Sequence, residues 1–205
     1  MKYGNAISNL ISYILHPVIM PVAGLFLVLH SGAYVSGMDI KIAKILYLIT
    51  GTFTLMLPLL FLPLLLYSGI IRNIKIDERQ HRIVPYFITF LFYYTAYILI
   101  KKLAVSSFIS DFMFASAVTL LLITILTWFF KISTHLAGTG GLAGLMLSLS
   151  WVFDADTTWL LIIILLLSGL LGSARINLNA HKPAEVYLGF LLGFVVIFTV
   201  CSFYQ

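Results

Sequence analysis

Residues 158–176 read TWLLIIILLLSGLLGSARI, nineteen positions with one charged side chain, Arg175, near the end. A helix needs about 20 predominantly apolar residues to cross a bilayer, so a run of this length and purity reads as a membrane span. Working outward from it, six further runs of the same kind appear. The seven are Ile7–His30, Ile42–Tyr67, Ile83–Ile100, Phe108–Phe130, Leu136–Phe153, Thr158–Leu171 extended to about Ile176, and Ala184–Phe203. The first is the least regular: His16, Pro17 and Pro21 are expected to kink it or break it. The expected fold is therefore all-α, a polytopic transmembrane bundle of six to seven spans forming a single domain over residues 1–205.

Composition agrees with this reading. Hydrophobic residues make up 61% of the chain, charged residues only 9%, and mean hydropathy is +1.09. A water-soluble domain of this size leaves too much surface exposed to tolerate so few charges. The 12 Lys and Arg against 7 Asp and Glu sit in short breaks between apolar runs rather than on one soluble face, which argues against nucleic-acid binding. One cysteine, Cys201, offers no internal disulfide, and no Cys/His spacing suggests a metal. The first apolar run lacks a small-residue cleavage site, so no cleavable signal peptide is expected.

Seven spans place the breaks near 70–82, 131–135 and 174–183 on one side with the N-terminus, and those near 31–41, 101–107 and 154–157 on the other. The first side, the charged face, holds Arg72, Lys75, Arg79, Arg82, Lys131, Arg175 and Lys182. Basic loops favour the cytoplasm. With Lys75, Arg82 and Arg175 set aside for chemistry, however, Lys2, Arg72, Arg79, Lys131 and Lys182 face Lys41, Lys44, Lys101 and Lys102. Charge then barely distinguishes the two sides.

Three segments meet at the charged face: Lys75-Ile-Asp-Glu-Arg-Gln-His-Arg82, Lys131-Ile-Ser133-Thr-His135, and Ser173-Ala-Arg175 running on to His181 and Glu185. Arginine forks match phosphate oxygens and lysine adds a point charge, so Lys75, Arg82 and Arg175 are candidate phosphate ligands. Ser133 adds a hydroxyl at the start of a helix, where unpaired N–H groups and the positive dipole end favour an anion. His181 and Glu185 are four residues apart and face each other on a helix. A carboxylate on one ring nitrogen fixes the tautomer and leaves the other to attack. His135 comes from another helix and is the candidate acid for a leaving oxygen. Ionisable residues at membrane helices are costly and tend to be functional.

Other features have plainer readings. Lys2, Arg79 and Lys182 read as snorkelling charges, His16 and His30 as structural interfacial histidines, and His81 as loop solvation. Gly138, Gly140, Gly141 and Gly144 read as close helix-packing positions. Phe92-Tyr93-Tyr94 reads as lipid-facing or interfacial rather than as a substrate box.

The three segments together resemble the type 2 phosphatidic acid phosphatase superfamily, whose pattern is K-x6-R-P, P-S-G-H and S-R-x5-H-x3-D. Lys75 and Arg82 keep the first spacing, Ser133 and His135 the second, and Arg175 and His181 the third, with Glu185 in place of the final aspartate. Pro85 lies three residues after Arg82, Ile132 and Thr134 replace the proline and glycine of the second motif, and Ala174 separates Ser173 from Arg175. The resemblance implies that His181 is the nucleophile, Glu185 its orienting acid, and His135 the general acid. Lys75, Arg82, Ser133 and Arg175 would hold the phosphate. It implies a metal-independent phosphatase without cofactor, acting on a lipid phosphate or isoprenyl diphosphate among membrane lipids, at the outer face of a bacterial inner membrane. A non-catalytic lipid-phosphate binding or transport protein on the same fold is the alternative, and Thr134 and Glu185 are the residues that favour it.

Overall fold

The computed structural model describes residues 2–33, 38–71, 73, 76 and 78–203. Among these residues the fold is all-α, with no strand. The helices are α1 (Lys2–Ile14), α2 (Met20–His30), α3 (Ile40–Gly51), α4 (Leu57–Tyr67), α5 (Ile83–Lys101), α6 (Ser107–Leu126), α7 (Thr134–Phe153), α8 (Thr158–Asn177) and α9 (Pro183–Phe203). Among the described residues, seven stretches are long and apolar enough to cross a membrane, and α1–α2 and α3–α4 each make up one of them.

The two composite spans are interrupted for identifiable reasons. Pro17 forces the preceding residue into an extended conformation. His16 adopts φ −71° and ψ 136°, so α1 stops and a 3₁₀ turn, Pro17–Ile19, leads into α2. Between α3 and α4 a π-helical turn, Thr52–Met56, precedes Pro58, which cannot donate to the residue four before it. The sixth span continues to Asn177, as expected from the sequence. The fourth is shorter than expected. Helix α6 ends at Leu126 and residues 127–129 turn, with the Phe129 carbonyl accepting a hydrogen bond from Arg79 Nη1 at 2.6 Å.

Outward-facing side chains suit hydrocarbon. Leu48, Leu60 and Leu166 are each more than 60% exposed, and Trp128, Trp151 and Trp159 stand exposed near helix ends, where aromatic residues anchor spans at the membrane interface. At the centre lies α7, whose most extensive contact is with α9. That contact is made through glycine. A Cβ at Gly140 or Gly144 would fall 2.1 or 2.5 Å from the carbonyl oxygens of Phe190 and Phe194. One at Gly189 or Gly193 would fall 2.5 or 1.9 Å from those of Ser133 and Ala137. Backbone therefore meets backbone, the small-residue packing that membrane helices favour. The expected role of Gly140 and Gly144 is seen directly, and Gly189 and Gly193 supply its other half. Helices α5 and α6 form an antiparallel hairpin, α6 also packs on α9, and α1 packs on α8, where Asn177 Nδ2 donates to Ser8 Oγ at 3.0 Å.

Candidate active site

Each candidate residue sits at a helix end, where a chain leaving the membrane can carry charge. Arg82 closes a short turn ahead of α5, Ser133 caps α7, Arg175 lies in the last turn of α8, and His181 occupies the tight link before α9. The α5–α6 hairpin returns the chain to the side it left, so the segments around Arg82 and His135 come together despite their separation in sequence.

Arg82, His135, Arg175 and His181 line one cavity of about 260 Å³. Its polar end also includes His16, Tyr86 and Thr134, and no carboxylate is found among the described lining residues. Its other end runs between apolar side chains, including Pro58, Phe61, Leu62, Leu65, Phe112, Leu142 and Ile197. A water molecule in the liquid takes up about 30 Å³, so there is room for a phosphate and the start of a chain.

His181 is only 7% exposed, and Nδ1 is engaged on two sides. It lies 3.1 Å from Glu185 Oε2 and 3.0 Å from the Lys131 carbonyl oxygen. Both partners accept, so Nδ1 carries the proton and Nε2 keeps its lone pair. Glu185 Oε2 also accepts from the backbone N–H of Lys182 at 3.0 Å, which fixes the carboxylate at the first turn of α9. Glu185 itself stays outside the cavity wall and acts on it through His181. Burial, reinforced by the charges of Arg82 and Arg175, pushes the His181 imidazole down to about 4, while the Glu185 hydrogen bond and charge oppose that shift. At neutral pH the ring is an uncharged base.

Arg82 is 8% exposed and is held by its Nε donating to the Ile76 carbonyl at 2.8 Å. Ile76 has φ +43°, an unfavourable conformation for a β-branched residue, and its own N–H is tied to Asn73 Oδ1 at 2.8 Å. Backbone strain at Ile76 thus accompanies the placement of the guanidinium. Arg175 Nε is buried with no hydrogen-bond partner among the described residues, and the charges of Arg82 and Arg175 act on each other. Two mutually repelling guanidinium groups beside a cavity with no carboxylate among its described lining residues call for an anion.

The other candidates fall as follows. Ser133 is fully buried behind the cavity wall, and its Oγ has no partner among the described residues. Its backbone N–H, expected to face an anion, instead donates to the Glu185 carbonyl at 3.2 Å and ties the start of α7 to α9. Thr134 reaches the cavity in its place. Lys75 lies outside the described residues. His16, read from the sequence as structural, lines the cavity with its ring centroid 5.4 Å from that of His135, edge to face. The signal was available: a histidine directly before a proline inside an apolar run must sit where the helix breaks, with its side chain released from helical packing.

No family model, curated protein or solved structure matches the chain. The functional reading therefore rests on the residues of this site.

Proposed function

We propose that the protein is a membrane phosphatase that hydrolyses a lipid phosphate or isoprenyl diphosphate through a phosphohistidine intermediate, as the resemblance to the type 2 phosphatidic acid phosphatases implies. The observation that carries this reading is His181: its Nδ1 is fixed by Glu185 and the Lys131 carbonyl, and the charges of Arg82 and Arg175 both reach its ring. A phosphate drawn in by the two guanidinium groups would meet the Nε2 lone pair, and the arginines would balance its charge as the transition state forms.

In the first step Nε2 attacks phosphorus, the bond to the leaving oxygen breaks, and that oxygen keeps the electron pair. His135 supplies a proton where the leaving group is an alcohol. The imidazole becomes cationic as the N–P bond forms, and the Glu185 carboxylate on Nδ1–H opposes that charge. Water then attacks the phosphohistidine and gives a proton to His135 where that ring has lost one; the N–P bond breaks with its electron pair left on Nε2, inorganic phosphate leaves, and His181 is restored. These steps use only groups of the chain, and the proposed activity is metal-independent. The cavity's apolar end suits a lipid chain, and we place the site at the outer face of a bacterial inner membrane.

The test is phosphate release by purified protein from lipid phosphates and isoprenyl diphosphates, with and without chelator, beside a trap for the intermediate. Wild type should release phosphate in chelator and acquire an acid-labile, base-stable label from a substrate labelled on its terminal phosphorus. His181→Ala should do neither while still binding orthophosphate. Full activity in His181→Ala would refute the mechanism. Tight phosphate binding with no turnover in wild type would instead favour the lipid-phosphate binder, a reading that the position of the Ser133 hydroxyl behind the cavity wall supports.

A further inference from the structure

The phosphatase chemistry needs one imidazole to attack and one to protonate, and it leaves His16 unused. This residue reaches the cavity from the N-terminal segment, far in sequence from the other three segments. Pro17 holds it in extended backbone at the break between α1 and α2. Its Nδ1 faces the Val18 N–H at 3.5 Å, which leaves Nε2–H as the donor.

The same segment also meets the neighbouring ring: His16 packs edge to face against His135. His135 and His181 line the same cavity. Arg175 is close enough for its charge to act on all three rings. The cavity lining thus offers two groups of side chains around Arg175: Arg82 with His181, and His135 with His16.

We propose that His16 is a specificity-determining residue that holds the second phosphate of a lipid diphosphate, so that the site prefers diphosphate over monophosphate esters of the same chain. This rests on the phosphatase reading and narrows its substrate class. In the reaction, His181 Nε2 attacks the terminal phosphorus. The bond to the bridging oxygen breaks, and that oxygen leaves with its electron pair as part of a lipid monophosphate. His16 and His135 donate hydrogen bonds to the leaving phosphate, and Arg175 balances its charge. Water releases inorganic phosphate from His181. The products are one lipid monophosphate and one orthophosphate.

The experiment compares farnesyl diphosphate with farnesyl phosphate, two esters of one chain, on the full-length protein. Wild type should favour the diphosphate in kcat/KM. In His16→Gln and His16→Ala that preference should fall by about ten- to a hundredfold, the worth of one hydrogen bond to a charged group. His30→Ala, which alters an exposed histidine stacked on Phe26, should keep the wild-type ratio. A wild-type ratio of one or below, or a ratio unchanged in both His16 variants, overturns the proposal.

Should the His16 variants lose all turnover, calorimetric binding of inorganic pyrophosphate and orthophosphate decides instead. The wild-type preference for pyrophosphate should disappear in His16→Gln, and its persistence overturns the proposal. The parent reading fails by a different result. Wild type that hydrolyses neither ester yet binds pyrophosphate through His16 would refute the phosphatase and retain the diphosphate site.

Discussion

Replacing Glu185 by glutamine separates two jobs that one oxygen performs. Oε2 accepts from His181 Nδ1 at 3.1 Å and from the Lys182 backbone N–H at 3.0 Å. The amide oxygen of glutamine can accept from both, so the ring keeps its orientation and the first turn of α9 keeps its cap. What disappears is the negative charge beside an imidazole that, in the proposed mechanism, becomes cationic during phosphoryl transfer. Unit charges about 4 Å apart interact by about 4 kcal/mol at an effective dielectric constant of 20. The Glu185 side chain is 20% exposed, so solvent reduces that value here. A loss of about 2.5–4 kcal/mol in the transition state corresponds to roughly 10²–10³-fold in kcat, within the range of about 10⁴ at most set by orienting carboxylates in triads. Stability should change by less than about 1 kcal/mol, since a cap acceptor remains. Initial rates of phosphate release, with orthophosphate binding and thermal unfolding measured in parallel, test both numbers. Glu185→Ala should cost more in both, having lost acceptor and charge together. A Glu185→Gln enzyme within threefold of wild type would refute the reasoning. It would reduce Glu185 to its contact with the Lys182 backbone.

Three further outcomes follow from the geometry. Gly193→Ala would set a methyl group 1.9 Å from the Ala137 carbonyl oxygen, so α9 must move away from α7; a shift of about 1 Å at the site should cost on the order of 10²-fold in kcat, whereas Gly169→Ala, with open space at its Cβ position, should leave kcat within twofold. Diethyl pyrocarbonate attacks neutral imidazole, and His181 is pushed down to about 4; its modification, followed by mass spectrometry, should therefore be half-maximal near pH 4 rather than near the ordinary histidine value of about 6.5, and in Glu185→Gln, which removes the opposing influence, at lower pH still. Lys182→Cys places a thiol at an exposed position beside His181; the outer-face reading requires labelling by an impermeant maleimide in intact cells, and labelling only after lysis would put the site on the cytoplasmic side.

The spans were legible because a bilayer demands long apolar runs and charge collects where those runs stop. The meeting of Arg82, His135, Arg175 and His181 followed from counting crossings, since an even number of spans returns the chain to the side it left. Less local matters were hidden. Nothing in the Ser133 neighbourhood announces that its N–H pairs with the Glu185 carbonyl, because that bond depends on how closely α7 approaches α9. The glycines that permit the approach were half visible: Gly140 and Gly144 stood out, while Gly189 and Gly193, with the same spacing, belong to a helix otherwise notable only for its apolar run. His16 reads as structural because a lone histidine beside prolines suggests a kink, and the structure shows that the same kink brings it to the cavity lining. The π-helical turn before Pro58 depends on backbone adjustment to a missing donor, which residue types alone do not specify.

The glycine seam between α7 and α9 divides the molecule into a part that cannot drift and a part that can. His135 lies at the start of α7 and His181 just ahead of α9, and the backbones of these helices touch, so a side chain added at Gly140, Gly144, Gly189 or Gly193 displaces the proposed reaction centre. The opposite wall, with Pro58, Phe61, Leu62 and Leu65, belongs to α4, which has no such seam with α7 or α9. In the proposed phosphatase, mutation there reshapes the bed for a hydrocarbon chain without touching the reacting atoms. Laboratory selection for new chain lengths should therefore accumulate its changes in α4 and leave residues 133–144 and 181–193 untouched, and descendants of one ancestor could diverge in the lipid they accept while sharing one unaltered reaction centre.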